Sequence, residues 1–299
     1  MNTVLEMGVT PTRVAAPSLV AMDRATVALA AEMQNTLVPP LSYLGDSVEA
    51  HGQCIPKEQV GGDLMDLVVD GPEVIAYVAD ISGHGLRAGV LMAMIKTAIR
   101  YGLLLRRPLS SLFSDLNRLL PQVKEASMFA TLAALRFDGS KEVEYVSAGH
   151  VPLLHFRKRM NDVIGHYAQQ VPLGLVAGDA YVSRQIGFEA GDIFLLPTDG
   201  AVELGEERDA QAGLEVLAQT LCKVNERPLT EILEILRNEI SWHGAEQDDS
   251  TVLLMRALSR NGNHEELGRQ RQPYDTSREL LEATWHKILA DLAAGLEDE

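Results

Sequence analysis

Four acidic positions sit beside glycines or at the ends of apolar runs: Asp63 after Gly61-Gly62, Asp80 before Ile81-Ser82-Gly83-His84-Gly85, Asp199 in Thr198-Asp199-Gly200, and Asp248 in Asp248-Asp249-Ser250-Thr251. A strand that delivers a carboxylate to its end, next to glycines that let the backbone approach a ligand, is a common way to build a metal or phosphate site. Four carboxylates brought together without cations would repel one another and be driven to protonate. Two divalent ions, Mn²⁺ or Mg²⁺, resolve that conflict because they favour oxygen ligands, and a water held between them is acidified into a nucleophile near neutral pH. In-line displacement at a phosphoryl group is the reaction such a centre serves best.

Other chemistries fit less well. Cys54 and Cys222 lie in apolar strand-like and helix-like patterns without the cationic setting that activates a thiol, and two cysteines make neither a disulfide framework nor a four-ligand zinc site. Ser82 and His84 are neighbours in a turn, which does not define a triad. The turn also lacks the lysine of a phosphate-binding loop. His84 and His150 lie on glycine turns, where each can donate a proton to a leaving oxygen, hydrogen-bond a metal-bound water, or brace its turn through backbone bonds.

The elements that must position these residues follow from periodicity. Residues 74–79 form an apolar run ending on Asp80, and a helix over 86–105 follows with Leu91, Ile95, Ala98 and Ile99 on one side. A second helix over 108–120 carries Leu109, Leu112, Phe113, Leu116 and Leu119, with Pro108 suited to its first turn. Asp138-Gly139 joins strands over 129–137 and 142–146 into a hairpin. Further strands are expected over 47–55, 153–156, 181–188, 192–196 and 251–256, and helices over 214–224 and 229–243. Strands cluster around paired helices without steady strand-helix alternation, which argues for an α+β sandwich of antiparallel sheets covered by helices.

Three regions divide the chain. Residues 1–35 hold a Thr/Pro/Ala-containing leader and a helix running from Ser18 towards Pro39-Pro40, with Met22, Leu29, Met33 and Leu37 recurring at helical spacing. That helix either packs on the core or pairs with a second subunit or an input domain. Residues 36–258 form the core domain. Residues 259–299 begin as a polar linker and regain helical periodicity over 277–292, with Leu280, Leu281, Trp285, Ile288 and Leu292 as its apolar side.

Composition narrows the partners. A formal net charge of −16 argues against nucleic acid and anionic membranes, which need clustered Lys and Arg. Lys96 and Arg100 interrupt the greasiest stretch, 89–105, short of a membrane span, and the N-terminus lacks a basic region followed by an apolar run; a cytoplasmic location is the expectation.

In order along the chain, Ala30-Ala31-Glu32-Met33-Gln34 with Leu37-Val38-Pro39, Gly61-Gly62-Asp63, Asp80-Ile81-Ser82-Gly83-His84-Gly85, Ala148-Gly149-His150-Val151-Pro152, Thr198-Asp199-Gly200 and Asp248-Asp249-Ser250-Thr251 resemble the bacterial serine/threonine phosphatases of the stage II sporulation protein E type. These are a branch of the metal-dependent PPM, or type 2C, phosphatases. The resemblance covers residues 30–257 and implies an αββα sandwich with two Mn²⁺ or Mg²⁺ ions in a cleft at one end of the sheets. It implies Asp63, Asp80 and the Ile81 carbonyl as metal ligands, Asp80 bridging, with Asp199 and Asp248 completing the set; Asp80 and, from its place on the glycine turn rather than from the resemblance, His84 are the catalytic candidates. It implies hydrolysis of phosphoserine or phosphothreonine on an anti-anti-sigma-type protein in a partner-switching pathway, under an upstream activator or a homodimer contact through the N-terminal helix. Two alternatives remain at this stage: a catalytically weak module that sequesters such a regulator, and a phosphatase for small phosphate esters.

Overall fold

A computed structural model describes residues 24–167, 170–203, 209–242 and 248–259 of the 299-residue chain. The leader, the first residues of the expected N-terminal helix and the expected helix over 277–292 lie outside the described residues.

Two antiparallel sheets stack face to face. One has six strands in the order β1 (Leu41–Leu44), β2 (Val48–Ile55), β11 (Ser250–Ala257), β10 (Ile193–Pro197), β7 (Leu153–Arg157), β8 (Asp162–His166). The other has five, in the order β3 (Leu64–Asp70), β4 (Glu73–Ile81), β5 (Ala130–Phe137), β6 (Glu142–Ala148), β9 (Arg184–Gly187). Helices α2 (Gly85–Leu104) and α3 (Leu109–Val123) cover the five-stranded sheet. Helices α4 (Ala210–Val224) and α5 (Leu229–Trp242) cover the six-stranded one. The result is the αββα sandwich.

Strand periodicity explains the layering. On β10 and β11, Phe194, Leu196, Leu253 and Met255 join the core between the sheets, while the alternating Ile193, Leu195, Val252 and Leu254 join the core beneath α4 and α5. A strand buried on both faces has no polar side to present, so its sequence reads as a continuous apolar run. The same logic makes β4 apolar from Val74 to Ala79.

Several elements depart from expectation. Residues 64–70 form strand β3, although the sequence reads there as a glycine bend, because Asp66 interrupts the apolar run. Inside the fold that carboxylate is satisfied: Tyr77 Oη donates to it at 2.6 Å, Arg100 donates twice at 2.6 Å, and Lys96 Nζ stands 3.4 Å away. Burial pushes Asp66 up, yet these partners outweigh it and hold the carboxyl below the usual range. Strands β1 and β8 were not foreseen, being short or half-buried edges. The strand expected over 181–188 shortens to β9, and Tyr181 instead packs against Phe113 with ring centroids 5.9 Å apart.

Helix α1 (Arg24–Leu37) differs most in its faces. Leu29 and Met33, read as part of an apolar stripe, are 58% and 61% exposed, whereas Gln34 is buried. Among the described residues of the expected stripe only Leu37 packs against the core, and the buried Gln34 joins it in anchoring the helix. Among the described residues no helix is long and apolar enough to cross a membrane.

Candidate metal centre

The two sheets bring their acidic ends together. β3 begins directly after Asp63, and the pairing of Leu64 with Ala79 sets Asp63 across from Asp80 near the end of β4. In the other sheet, β10 stops just before Thr198-Asp199 and β11 starts just after Asp248-Asp249. The Thr198 amide donates to the Thr251 carbonyl at 3.0 Å, which keeps those two ends side by side.

Asp63 ties the sheets to each other. Its Oδ2 accepts hydrogen bonds from Thr198 Oγ1 at 2.8 Å and Thr251 Oγ1 at 2.7 Å, while the Thr198 hydroxyl accepts from the Thr251 amide at 2.9 Å. Its Oδ1 is buried and has no hydrogen-bond partner. A buried carboxylate oxygen held in place but left unmatched normally costs free energy, so it points to a missing positive partner.

Electrostatics say the same. Burial and the Asp80 charge raise Asp63 well above the usual carboxylate range, against the pull of the two threonine hydroxyls. Burial pushes Asp80 up to about 7, reinforced by the charges of Asp199, Asp248, Asp249 and Glu203. The structure therefore brings Asp63, Asp80, Asp199 and Asp248 into one field of mutual repulsion, with Asp249 and Glu203 added. Among the described residues no three of these side chains form a ready-made ligand cluster. The donor set is nonetheless all oxygen and strongly anionic, which fits hard divalent cations. Ile81 joins through its backbone: an added Cβ on Gly62 would sit 2.5 Å from the Ile81 carbonyl oxygen, so only glycine lets these strands approach so closely.

The loop carrying Gly61-Gly62 is pinned from two directions. Gln34 Nε2 donates to the Gly61 carbonyl at 3.1 Å, and the Gly61 amide donates back to Gln34 Oε1 at 2.8 Å. Asp249 accepts from the Lys57 amide at 2.8 Å and the Gly62 amide at 2.6 Å. Sequence reasoning assigned no role to Gln34, Asp249, Glu203, Thr198 or Thr251. All but Glu203 lie within the quoted motifs, but a brace and a ligand look alike until partners are visible.

The histidines separate. The turn after β4 uses Gly83 and Gly85 at φ +97° and +72°, conformations that favour glycine. His84 between them is 73% exposed, and its Nδ1 stands 3.1 Å from Glu58 Oε1. His150 is buried: Nε2 donates to the Pro197 carbonyl at 2.9 Å, which leaves Nδ1 to accept from Thr131 Oγ1 at 2.7 Å. Burial holds it down at about 4, so it is a neutral brace between the sheets. Burial also pushes the Cys54 thiol far up, which removes it as a nucleophile.

Solved structures share this architecture, that of the PP2C-type phosphatase domain. The SiaA-PP2C domain of Pseudomonas aeruginosa superposes with a TM-score of 0.66 at 18% identity, covering 78% of this chain and 96% of that one. The RsbU and RsbW domains of Rv1364c from Mycobacterium tuberculosis give a TM-score of 0.67 at 23% identity, covering 75% and 62%. The stage II sporulation protein E (SpoIIE) family matches residues 70–258, and the chain belongs to that family. It is also 28% identical over 189 residues to phosphoserine phosphatase RsbU of Bacillus subtilis (strain 168), an alignment covering 62% of this chain and 55% of that protein. The chain thus spans about half the length of the curated relative it matches.

Proposed function

We propose that this chain is a metal-dependent protein serine/threonine phosphatase, with residues 36–258 as its catalytic domain and residues 1–35 and 259–299 as regulatory flanks. The observation that carries this reading is Asp63: buried, oriented by two hydroxyls, with Oδ1 unmatched beside a carboxyl pushed up to about 7. Asp63, Asp80, Asp199, Asp248 and the Ile81 carbonyl would hold two Mn²⁺ or Mg²⁺ ions. Those ions supply charge stabilisation at the phosphoryl group and an acidified water. Thr198 and Thr251 aim Asp63, Asp249 and Gln34 hold the Gly61-Gly62 loop, and His84, exposed on the turn after Asp80, stands as a proton donor to the leaving oxygen.

Family membership and the likeness to a phosphoserine phosphatase favour a phosphorylated regulatory protein as substrate. By that likeness the substrate is a serine-phosphorylated anti-anti-sigma-type protein of a partner-switching pathway, dephosphorylated in the cytoplasm. Leu29 and Met33, exposed four residues apart on α1, give a homodimer contact or an upstream activator a surface to engage.

The test is phosphate release from a serine-phosphorylated protein of that type with Mn²⁺, with Mg²⁺ and with EDTA. Release with metal, its loss in EDTA, and its loss in folded Asp80→Asn and Asp199→Asn variants are expected. Turnover that survives EDTA or either substitution overturns the reading.

A further inference from the structure

An apolar groove of about 580 Å³ runs between α2 and α3 on the side away from the sheet. Val90, Met94 and Tyr101 of α2 and Leu119 and Val123 of α3 line it, and each is between 41% and 63% exposed. Single exposed apolar side chains are ordinary, but a contiguous apolar groove marks a surface that something covers. Position gives it weight, because Gly89 on the same helix packs without a Cβ against Val60 and the Gly61 carbonyl, behind the candidate metal centre.

Charge narrows the occupant. Residues 85–124 hold seven Lys or Arg against one Asp, in a chain whose net charge is −16. Six of these seven cations are in ion pairs, but they share four carboxylates, Asp66, Asp70, Asp115 and Glu125, so cations outnumber their partners. The hairpin is still the basic exception in an acidic protein. A second copy docking the same face in two-fold symmetry would bring two basic hairpins together, which is unfavourable. An acidic amphipathic segment suits it better.

The chain carries such a segment. Residues 277–299 hold six Asp or Glu against two Lys or Arg. Leu281, Trp285, Ile288 and Leu292 recur at spacings of four, three and four, the spacings of Val90, Met94, Thr97 and Tyr101 along the groove. Residues 259–276 between β11 and this segment are rich in Arg, Asn, Gln and Glu. Extended, they span up to about 60 Å. A domain of this size is roughly 40–50 Å across, so the tether reaches the groove from the end of β11. A tether of that length also gives an effective concentration near the millimolar range, so modest contacts suffice.

We propose that residues 277–292 seat their apolar side in the α2/α3 groove as an intrachain helix, with the acidic side chains facing the basic hairpin. The full chain contains two tryptophans, Trp242 and Trp285. With Trp242→Phe, Trp285 fluorescence reads the docking directly. The expected result is a blue-shifted emission, protected from acrylamide and independent of protein concentration. Met94→Glu in the groove and, separately, Ile288→Glu in the segment should each shift the emission to that of an exposed indole and abolish the protection. Circular dichroism confirms that both variants are folded, and both changes fall outside the candidate metal centre. Exposed-indole emission in the unsubstituted groove, or emission unmoved by both variants, overturns the proposal. A blue shift that grows with concentration and accompanies a doubled mass in light scattering assigns the groove to a second copy and also overturns it.

Discussion

Replacing Gln34 with Ala tests how much its amide contributes to holding α1 on the core. In the native fold Gln34 is buried and exchanges two hydrogen bonds with Gly61, at 2.8 and 3.1 Å. Alanine removes both bonds and strands a buried N–H and a buried C=O. An unsatisfied buried polar group costs about 1–3 kcal/mol, so the pair gives a loss of about 2–4 kcal/mol after partial hydration. For a domain of this length each kcal/mol moves the melting temperature by about 2–4 °C, so a fall of about 5–15 °C is expected. Alanine is the better helix former, so helix propensity works slightly against the effect and cannot account for it. Leu29→Ser and Met33→Ser on the same helix are the controls: both positions are exposed, and each should stay within about 0.5 kcal/mol of the parent. Thermal unfolding in EDTA reads stability alone. A parallel Mn²⁺ titration reads the site, where Gln34→Ala should weaken binding because Asp63 lies two residues beyond the released glycine. A melting temperature within 2 °C of the parent, or equal shifts in Gln34→Ala and Leu29→Ser, would refute the clasp.

Three further outcomes follow from the site. His150 is held down at about 4 from an ordinary 6.5, so between those values the unfolded chain binds the proton and the His150 contribution to stability falls as pH drops from 6.5 towards 4. That contribution approaches ~3 kcal/mol, with a smaller share from His166, also held at about 4, and it opposes the gain that the raised Asp63 and Asp80 give as pH falls; it is read as the stability difference between the parent and His150→Gln, which should shift against the parent from pH 7 to 4.5. Asp80, pushed up to about 7, must lose a proton when a cation binds, so Mn²⁺ affinity should fall about tenfold per pH unit below 7 and binding should release protons measurable by calorimetry in two buffers. Gly62→Ala places a methyl 2.5 Å from the Ile81 carbonyl oxygen and should cost about 1–3 kcal/mol while lowering Mn²⁺ affinity, seen by melting and by titration.

How much of this was legible from the sequence depends on what each residue has to do. β4, β10 and β11 were readable because strands buried on both faces have no choice but to be apolar, and Asp80, Asp199 and Asp248 lie at or just beyond their ends. β3 was hidden by one residue, Asp66, whose charge is tolerable only because Arg100, Lys96 and Tyr77 arrive from elements distant in sequence. Edge strands such as β1 and β8 have one partner and half-buried faces, so their pattern is weak by nature.

The same distinction divides the site. Asp63 and Asp249 are both buried acids next to glycine or another acid, yet one leaves an oxygen unmatched and the other spends both oxygens on the amides of Lys57 and Gly62. The unmatched oxygen is fit for a cation, while the two bonds of Asp249 hold the loop. That difference is made by strands meeting across the sandwich. Gln34 extends the argument to α1, where a stripe of Leu and Met suggested the buried face and the buried residue proved to be an amide. An amide reads both the donor and the acceptor of Gly61, so it holds the helix in one register, whereas an apolar contact would allow sliding. The helix is therefore attached by a specific pair of bonds two residues from Asp63, with Leu29 and Met33 turned outward. A partner gripping that outward side would pull on the loop through Gln34.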